Sequence, residues 1–188
     1  MKTFTIALMI AAAIGCGNTN KNNSEKKEPV AEIASSETAE NQETMLTGVI
    51  TKKDLKEAPY SSWFTSSYEA YKPSDEELQV IKENINGYTI EAYMGTWCVD
   101  SRHEIPKLFK LLEEAGYDLD KMRLVAVDRS KNIPEGVENS ASIEMVPTVI
   151  FYKDGKEVNR FVEYSIGSFE QDIAKIVTNK DYSNPYSD

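Results

Sequence analysis

The stretch Thr96-Trp97-Cys98-Val99-Asp100-Ser101 constrains this chain more than any other, because it joins two segments of different periodicity. Ahead of it, Tyr88-Thr89-Ile90-Glu91-Ala92-Tyr93-Met94 is rich in β-branched and aromatic residues and bounded by Gly87 and Gly95, the pattern of a strand. After it, Ile105, Leu108, Leu112 and Ala115 recur at helical spacing, and Gly116 supplies a stop. Cys98 is thereby placed at a strand-to-helix junction, in the first turn of the helix. Unpaired N–H groups and the positive end of the helix dipole favour a thiolate there. A lone cysteine is otherwise a small buried hydrophobe. Flanking Trp97 and the polar pair Asp100 and Ser101 argue against simple burial, but at this point both readings stand.

The length of 188 residues suggests one domain with appendages. Lys2 opens a short basic region, and residues 4–14 form an apolar run. That run is too short for a bilayer, which needs ~20 residues, and has the size of a signal-peptide core. It ends in Ala13-Ile14-Gly15-Cys16, which resembles the lipobox of bacterial lipoproteins, whose cysteine is lipidated after cleavage. An ordinary secretory signal with an incidental cysteine is the alternative. Residues 1–15 are therefore expected to be a signal peptide and Cys16 the lipidation site. Residues 16–44 hold almost no large apolar side chains and cannot offset their ordering entropy, so a disordered tether is expected there. Residues 45–180 read as the folded domain and 181–188 as a flexible tail.

The formal net charge is −10, with no basic patch. This argues against nucleic acid as a partner and against electrostatic adhesion to anionic lipid, leaving the N-terminal lipid as the membrane attachment. Of the two cysteines, only Cys98 remains a thiol if Cys16 carries lipid, and no internal disulfide is then available. His103 is the only histidine. With Cys98 it offers two ligands where a metal site takes three or four, so no metal and no cofactor are expected.

The rest of the chain alternates strand and helix signals. Residues 45–51 suit an edge strand, and Tyr60, Trp63, Phe64, Tyr68 and Tyr71 form an aromatic-rich connection expected to pack on the domain flank. Ser74 and Glu77 spell a capping box before a helix on Leu78, Ile81 and Ile85 that stops at Asn86-Gly87. Residues 122–128 are an apolar run fit for a strand covered on both faces. Residues 133–144 read as a loop or short helix, and residues 146–152 as a strand entered through Pro147. Asp154-Gly155 marks a hairpin turn, residues 157–162 the returning strand, and Ser168 and Gln171 a second capping box. The helix that follows has an inner stripe of Phe169, Ile173, Ile176 and Val177. Parallel strands joined by helices, with a terminal hairpin, give an α/β class.

Over residues 45–180 the chain resembles a thioredoxin-fold protein of the membrane-tethered kind found in bacterial envelopes. Four features carry the resemblance: a strand ending in Trp97-Cys98, Pro106 eight residues after Cys98, Val146-Pro147-Thr148 in the place of a cis-proline, and the Lys153-Asp154-Gly155-Lys156 hairpin. The resemblance implies a thioredoxin fold, a central mixed β-sheet with helices on both faces. It implies Cys98 and Ser101 as the catalytic positions, with Trp97, Val99, Asp100 and Pro106 supporting them. It also implies a client-binding backbone at Val146 and Pro147, which a cis bond turns towards Cys98.

Two departures limit the implied chemistry. The family's Cys-x-x-Cys is here Cys98-Val99-Asp100-Ser101, so the resolving thiol is a hydroxyl that can stabilise a thiolate by hydrogen bonding but cannot attack sulfur. The family often has a buried carboxylate six residues before the first cysteine. Here that place holds Ala92, with Glu91 one position away and on the opposite strand face. Asp100 opposes a thiolate, and Arg102 and His103 partly offset it. The expectation is a monothiol protein performing exchange or isomerase-type chemistry through Cys98 on envelope proteins that carry thiols or disulfides. The alternative is a redox-inactive, membrane-tethered protein-binding module.

Overall fold

Five strands form one mixed sheet in the computed structural model, which describes residues 45–137 and 141–187. The expected signal peptide, the tether and Cys16 lie outside the described residues. The strands are β1 (Gly48–Ile50), β2 (Thr89–Met94), β3 (Met122–Ala126), β4 (Thr148–Lys153) and β5 (Lys156–Val162), in the order β1-β3-β2-β4-β5. β2 runs parallel to β3, and the other three pairings are antiparallel. The helices are α1 (Lys52–Lys56), α2 (Ser61–Ala70), α3 (Asp75–Asn84), α4 (Val99–Glu114) and α5 (Phe169–Val177). The sequence reading of β1 as an edge strand, and of the strand–helix–strand unit around Cys98, matches this arrangement.

Strand alternation divides the sheet into two unequal faces. On one, Ile90, Ala92 and Met94 of β2 join Leu124, Ala126, Val149 and Phe151, and buried residues from all five helices pack against them. On the other, Tyr93, Val125, Val127, Val146 and Ile150 form a smaller cluster covered by Ile133, Val137 and Ile143 of the β3–β4 connection. The sheet is mixed and packed with helices, as the α/β class implies, and the β3–β4 connection covers the smaller cluster. The connection contains Pro134 and Gly136, with Gly136 at φ +82°, and its described residues run as turns and extended chain.

The aromatic segment 60–71 packs on the flank as expected, but as helix α2 rather than as a connection. Phe64 is buried edge-on to Phe109 of α4 and stacks on Tyr68. Its N-cap, Tyr60, makes no side-chain cap, and serine, threonine and aromatic residues each give up several tenths of a kcal/mol of helix propensity. Burying Phe64 contributes about 1.5–3 kcal/mol, so tertiary packing decides the conformation.

Local signals elsewhere act as written. Ser168 and Gln171 cap each other's backbone at the start of α5. Ser74 accepts from the Glu77 N–H, while the Glu77 carboxylate takes the Ser74 hydroxyl rather than reaching the N-cap backbone. Asp154 and Gly155 sit at φ +51° and +73°, the two left-handed positions of a tight hairpin. Within the described residues 181–187 of the expected tail, Tyr182 is buried in the main core, and the Asn159 side chain donates to its carbonyl at 3.0 Å.

Candidate active site

β2 ends in a turn that hands the chain to α4. The Cys98 N–H donates to the Gly95 carbonyl at 2.9 Å, and Cys98 is the N-cap of α4 with an extended backbone (φ −88°, ψ 129°). Gly95 is needed for space, since a Cβ there meets the Trp97 ring at 2.5 Å. The ring is fixed by an Nε1–H bond to the Val127 carbonyl at 3.0 Å, and the Arg129 guanidinium lies 5.3 Å from its centroid. Thr96 is buried and accepts the Leu46 N–H at 3.2 Å, tying the segment before β1 to the turn.

The Cys98 thiol is half-buried and donates to the Val146 carbonyl at 3.2 Å; Asp100 Oδ2 lies 3.9 Å from the sulfur. The Val146–Pro147 bond is cis, as the resemblance implied. The Pro147 carbonyl accepts the Glu163 N–H at 2.7 Å, which couples the proline turn to the β5–α5 loop. Thus Cys98, Val146 and Pro147, which are far apart in sequence, share one surface. Val99 stands beside them, 75% exposed.

Ser101 requires a correction. Its side chain is fully buried, and its hydroxyl accepts the Gly95 N–H at 3.2 Å instead of bonding to Cys98. The hydroxyl supports the turn. The two groups expected to offset Asp100 are engaged elsewhere. Arg102 Nε donates to the Thr96 carbonyl and its guanidinium lies 5.8 Å from the Trp63 ring, while His103 is exposed with Nδ1 3.3 Å from Glu104 Oε1. Pro106 is buried within α4, where its missing N–H removes one rung of the ladder a turn beyond the site.

Ala92 is buried between Leu124 and Val149, so no carboxylate lies there. Glu91 points to the other face and is held by Arg123 at 2.5 Å, the Tyr93 hydroxyl at 3.0 Å and the Tyr152 hydroxyl at 3.4 Å. Burial, then the bond to Glu91, pushes the Tyr93 phenol up. Sequence reasoning missed Glu104, a buried carboxylate on α4 whose Oε1 takes Lys107 at 3.0 Å and whose Oε2 has no partner. Its place three residues after Ser101 and one before Ile105, on the inward stripe, was the available signal. Among the described residues, no group of three or more His, Cys, Asp or Glu side chains could hold a metal.

No family model matches the chain. It is similar to the chloroplast thioredoxin Y of Oryza sativa subsp. japonica, 28% identical over 55% of this chain and 59% of that protein. It is similar to the chloroplast thioredoxin Y1 of Arabidopsis thaliana, 29% identical over 50% of this chain and 51% of that one. Thioredoxin-2 of Saccharomyces cerevisiae is 29% identical over 60% of this chain and 92% of its own length. Among solved structures, a thioredoxin of Fasciola hepatica matches with a TM-score of 0.35 and 28% identity, covering 55% of this chain and 89% of that one. The chain spans 59% and 51% of the two chloroplast relatives it matches. The strand order, the cis-proline turn facing Cys98 and these thioredoxin relatives together give the domain a thioredoxin-like fold.

Proposed function

We propose that the domain performs thiol–disulfide exchange as a monothiol through Cys98, on cell-envelope proteins that an N-terminal lipid on Cys16 brings within reach. The observation that carries this reading is the Cys98 sulfur, half-exposed at the N-cap of α4 and 3.2 Å from the Val146 carbonyl beside a cis proline. An extended client that takes over the Val146 backbone hydrogen bonds lays its own sulfur beside Cys98. The Cys98 thiolate attacks one client sulfur, the Cys98–client S–S bond forms and the client's disulfide breaks. The electron pair leaves on the client's other sulfur, which takes up a proton. A second thiol, from the client or from a small-molecule donor, then attacks the mixed disulfide and restores Cys98. Ser101 presents a hydroxyl, which cannot attack sulfur, so release depends on that outside thiol. A client thiol attacking the client sulfur leaves the client's disulfides rearranged, and a small-molecule thiol leaves the client joined to the donor, the electron pair going to Cys98 in either case.

The test uses the full chain carrying Cys16→Ser, so that Cys98 alone reacts. Incubation with glutathione disulfide is expected to add one glutathione per chain, removable by reductant and absent in Cys98→Ala. An unmodified chain overturns the reading. The envelope anchor is tested separately: incorporation of labelled fatty acid in a bacterial host is expected for the natural chain and lost on Cys16→Ser.

A second reading, a redox-inactive binding module, draws support from Ser101 standing in place of a second thiol and from the apolar Ala92 position. It requires Cys98→Ala to retain partner binding and cellular role, and a loss of both on that change excludes it.

A further inference from the structure

Four of the six exposed large hydrophobic residues in the described chain, Val99, Tyr164, Ile166 and Tyr186, stand in segments that converge on Cys98. Val99 follows the thiol directly. Tyr164 and Ile166 belong to the β5–α5 loop, which the Glu163 N–H fastens to the Pro147 carbonyl. Tyr186 belongs to the C-terminal run, and its hydroxyl donates to the Glu163 carboxylate. The clustering separates this patch from incidental exposure, which scatters.

The run that carries Tyr186 is positioned by several independent contacts. Tyr182 is buried in the main core, and Asn159 of β5 holds its carbonyl. Asn184 then turns the chain, accepting the Tyr186 N–H on Oδ1 and the Ser187 N–H on its carbonyl, each at 3.0 Å. Glu163 sits at φ +63°, a left-handed conformation that a non-glycine residue adopts only where its surroundings hold it. Between this run and the proline turn lies a groove of about 310 Å³, lined by Met145, Thr148, Val162, Asn184 and Tyr186. Of the charged residues lining it, Arg160 is paired with Glu157 at 2.6 and 2.7 Å and Glu144 is acidic. Outside the groove, Asp100 lies 3.9 Å from the Cys98 sulfur and Glu163 takes the Tyr186 hydroxyl, so the neighbouring rim is acidic as well.

We infer that the C-terminal run forms one wall of the client site and that Tyr186, held by Glu163, selects extended polypeptides with an apolar residue followed by a basic residue beside the reactive cysteine. The apolar side chain fits against Tyr186 and Met145, and the basic one meets the Asp100 and Glu163 rim. The overall charge of −10 favours the same clients during encounter. This inference rests on Cys98 as the exchanging thiol and adds what that thiol selects.

The test uses the full chain with Cys16→Ser and two short peptides, each bearing a cysteine capped as a mixed disulfide with thionitrobenzoate. One peptide places Leu-Lys beside the cysteine and the other Gly-Glu. Cys98 attacks the peptide sulfur, the cap's S–S bond breaks and coloured thionitrobenzoate leaves with the electron pair, so the rate is read directly. Each rate is divided by the same protein's rate with glutathione disulfide, which removes any change in the thiol itself. The Leu-Lys peptide is expected to react about tenfold faster than the Gly-Glu peptide, the discrimination an apolar contact supplies. In Tyr186→Ala, and in a chain ending after Tyr182, the ratio is expected to fall to about twofold or less. An unchanged ratio in both variants, or no preference in the parent, overturns the inference. If Cys98 reacts with no disulfide, the exchange reading itself fails. The wall is then judged by titration with the uncapped Leu-Lys peptide carrying serine for cysteine, whose binding must weaken in Tyr186→Ala.

Discussion

The two faces of the sheet divide the work of the molecule. The face carrying Ile90, Ala92 and Met94 packs against all five helices and holds nearly all the large buried side chains. The opposite face has a small cluster roofed by the β3–β4 connection, and Trp97 and Cys98 pack on this thinner side. Stability is thus concentrated away from the candidate site. The site is held by a few directed bonds: Trp97 to Val127, Cys98 to Val146, Ser101 to Gly95 and Glu163 to Pro147. Core packing carries most of the energy in such an arrangement, and single hydrogen bonds of about 1 kcal/mol position the reacting atoms.

Truncation on the two faces gives the largest contrast. Phe64→Ala on the helix side is expected to cost about 3–5 kcal/mol in denaturant unfolding, while leaving the exchange rate of the folded fraction within about twofold. Ile133→Ala in the roof of the thinner face, where the side chain is only partly buried, is expected to cost about 1 kcal/mol. Equal losses dissolve the distinction between the faces.

Gly95→Ala tests the join between scaffold and site. The added methyl meets the Trp97 ring, so the ring must leave its bond to Val127, at an expected cost of about 1–3 kcal/mol. A shifted tryptophan emission and slower exchange through Cys98 are expected together; unchanged emission means that the close approach is relieved in another way.

The chain announces much of this plan. Capping residues at 74 and 168, the Asp154-Gly155 turn and the alternation in β2 are local signals, and local physics decides those elements. The site was legible for the same reason, since Cys98 sits at a junction that two neighbouring periodicities define. What stayed hidden depends on distant partners. α2 forms because Phe64 finds Phe109, and the C-terminal run is held by Asn159 and Glu163. Ser101 illustrates the limit most directly. Its spacing from Cys98 suggested a thiolate partner, and only the fold shows that the hydroxyl is buried and accepts the Gly95 N–H.

Ser101→Cys sharpens that point. The substitution weakens the support of Gly95 by about 1 kcal/mol and places a second sulfur one helical turn from Cys98. A reversible two-electron disulfide couple is expected in redox titration, and its absence shows that the α4 start lacks dithiol geometry.

The smallest effect is read in alkali. Burial pushes the Tyr117 phenol up to about 12, and burial together with the bond to Glu113 does the same for Tyr68. The unfolded chain releases these protons near ~10, so between about pH 10 and 12 the folded state binds more protons than the unfolded. Their contribution to stability is therefore complete below pH ~10 and falls as the pH rises towards 12. Spectrophotometric titration is expected to show a late tyrosine class in the native protein that merges with the early class on denaturation.

The central claim is a single working thiol, and its stoichiometry is the direct test. The reduced full chain with Cys16→Ser is mixed with an equimolar client bearing one disulfide, with no other thiol present. One mixed disulfide at Cys98 with one client thiol released per event is the predicted result. A client carrying two free thiols, or one left intact with Cys98 unreacted, contradicts it.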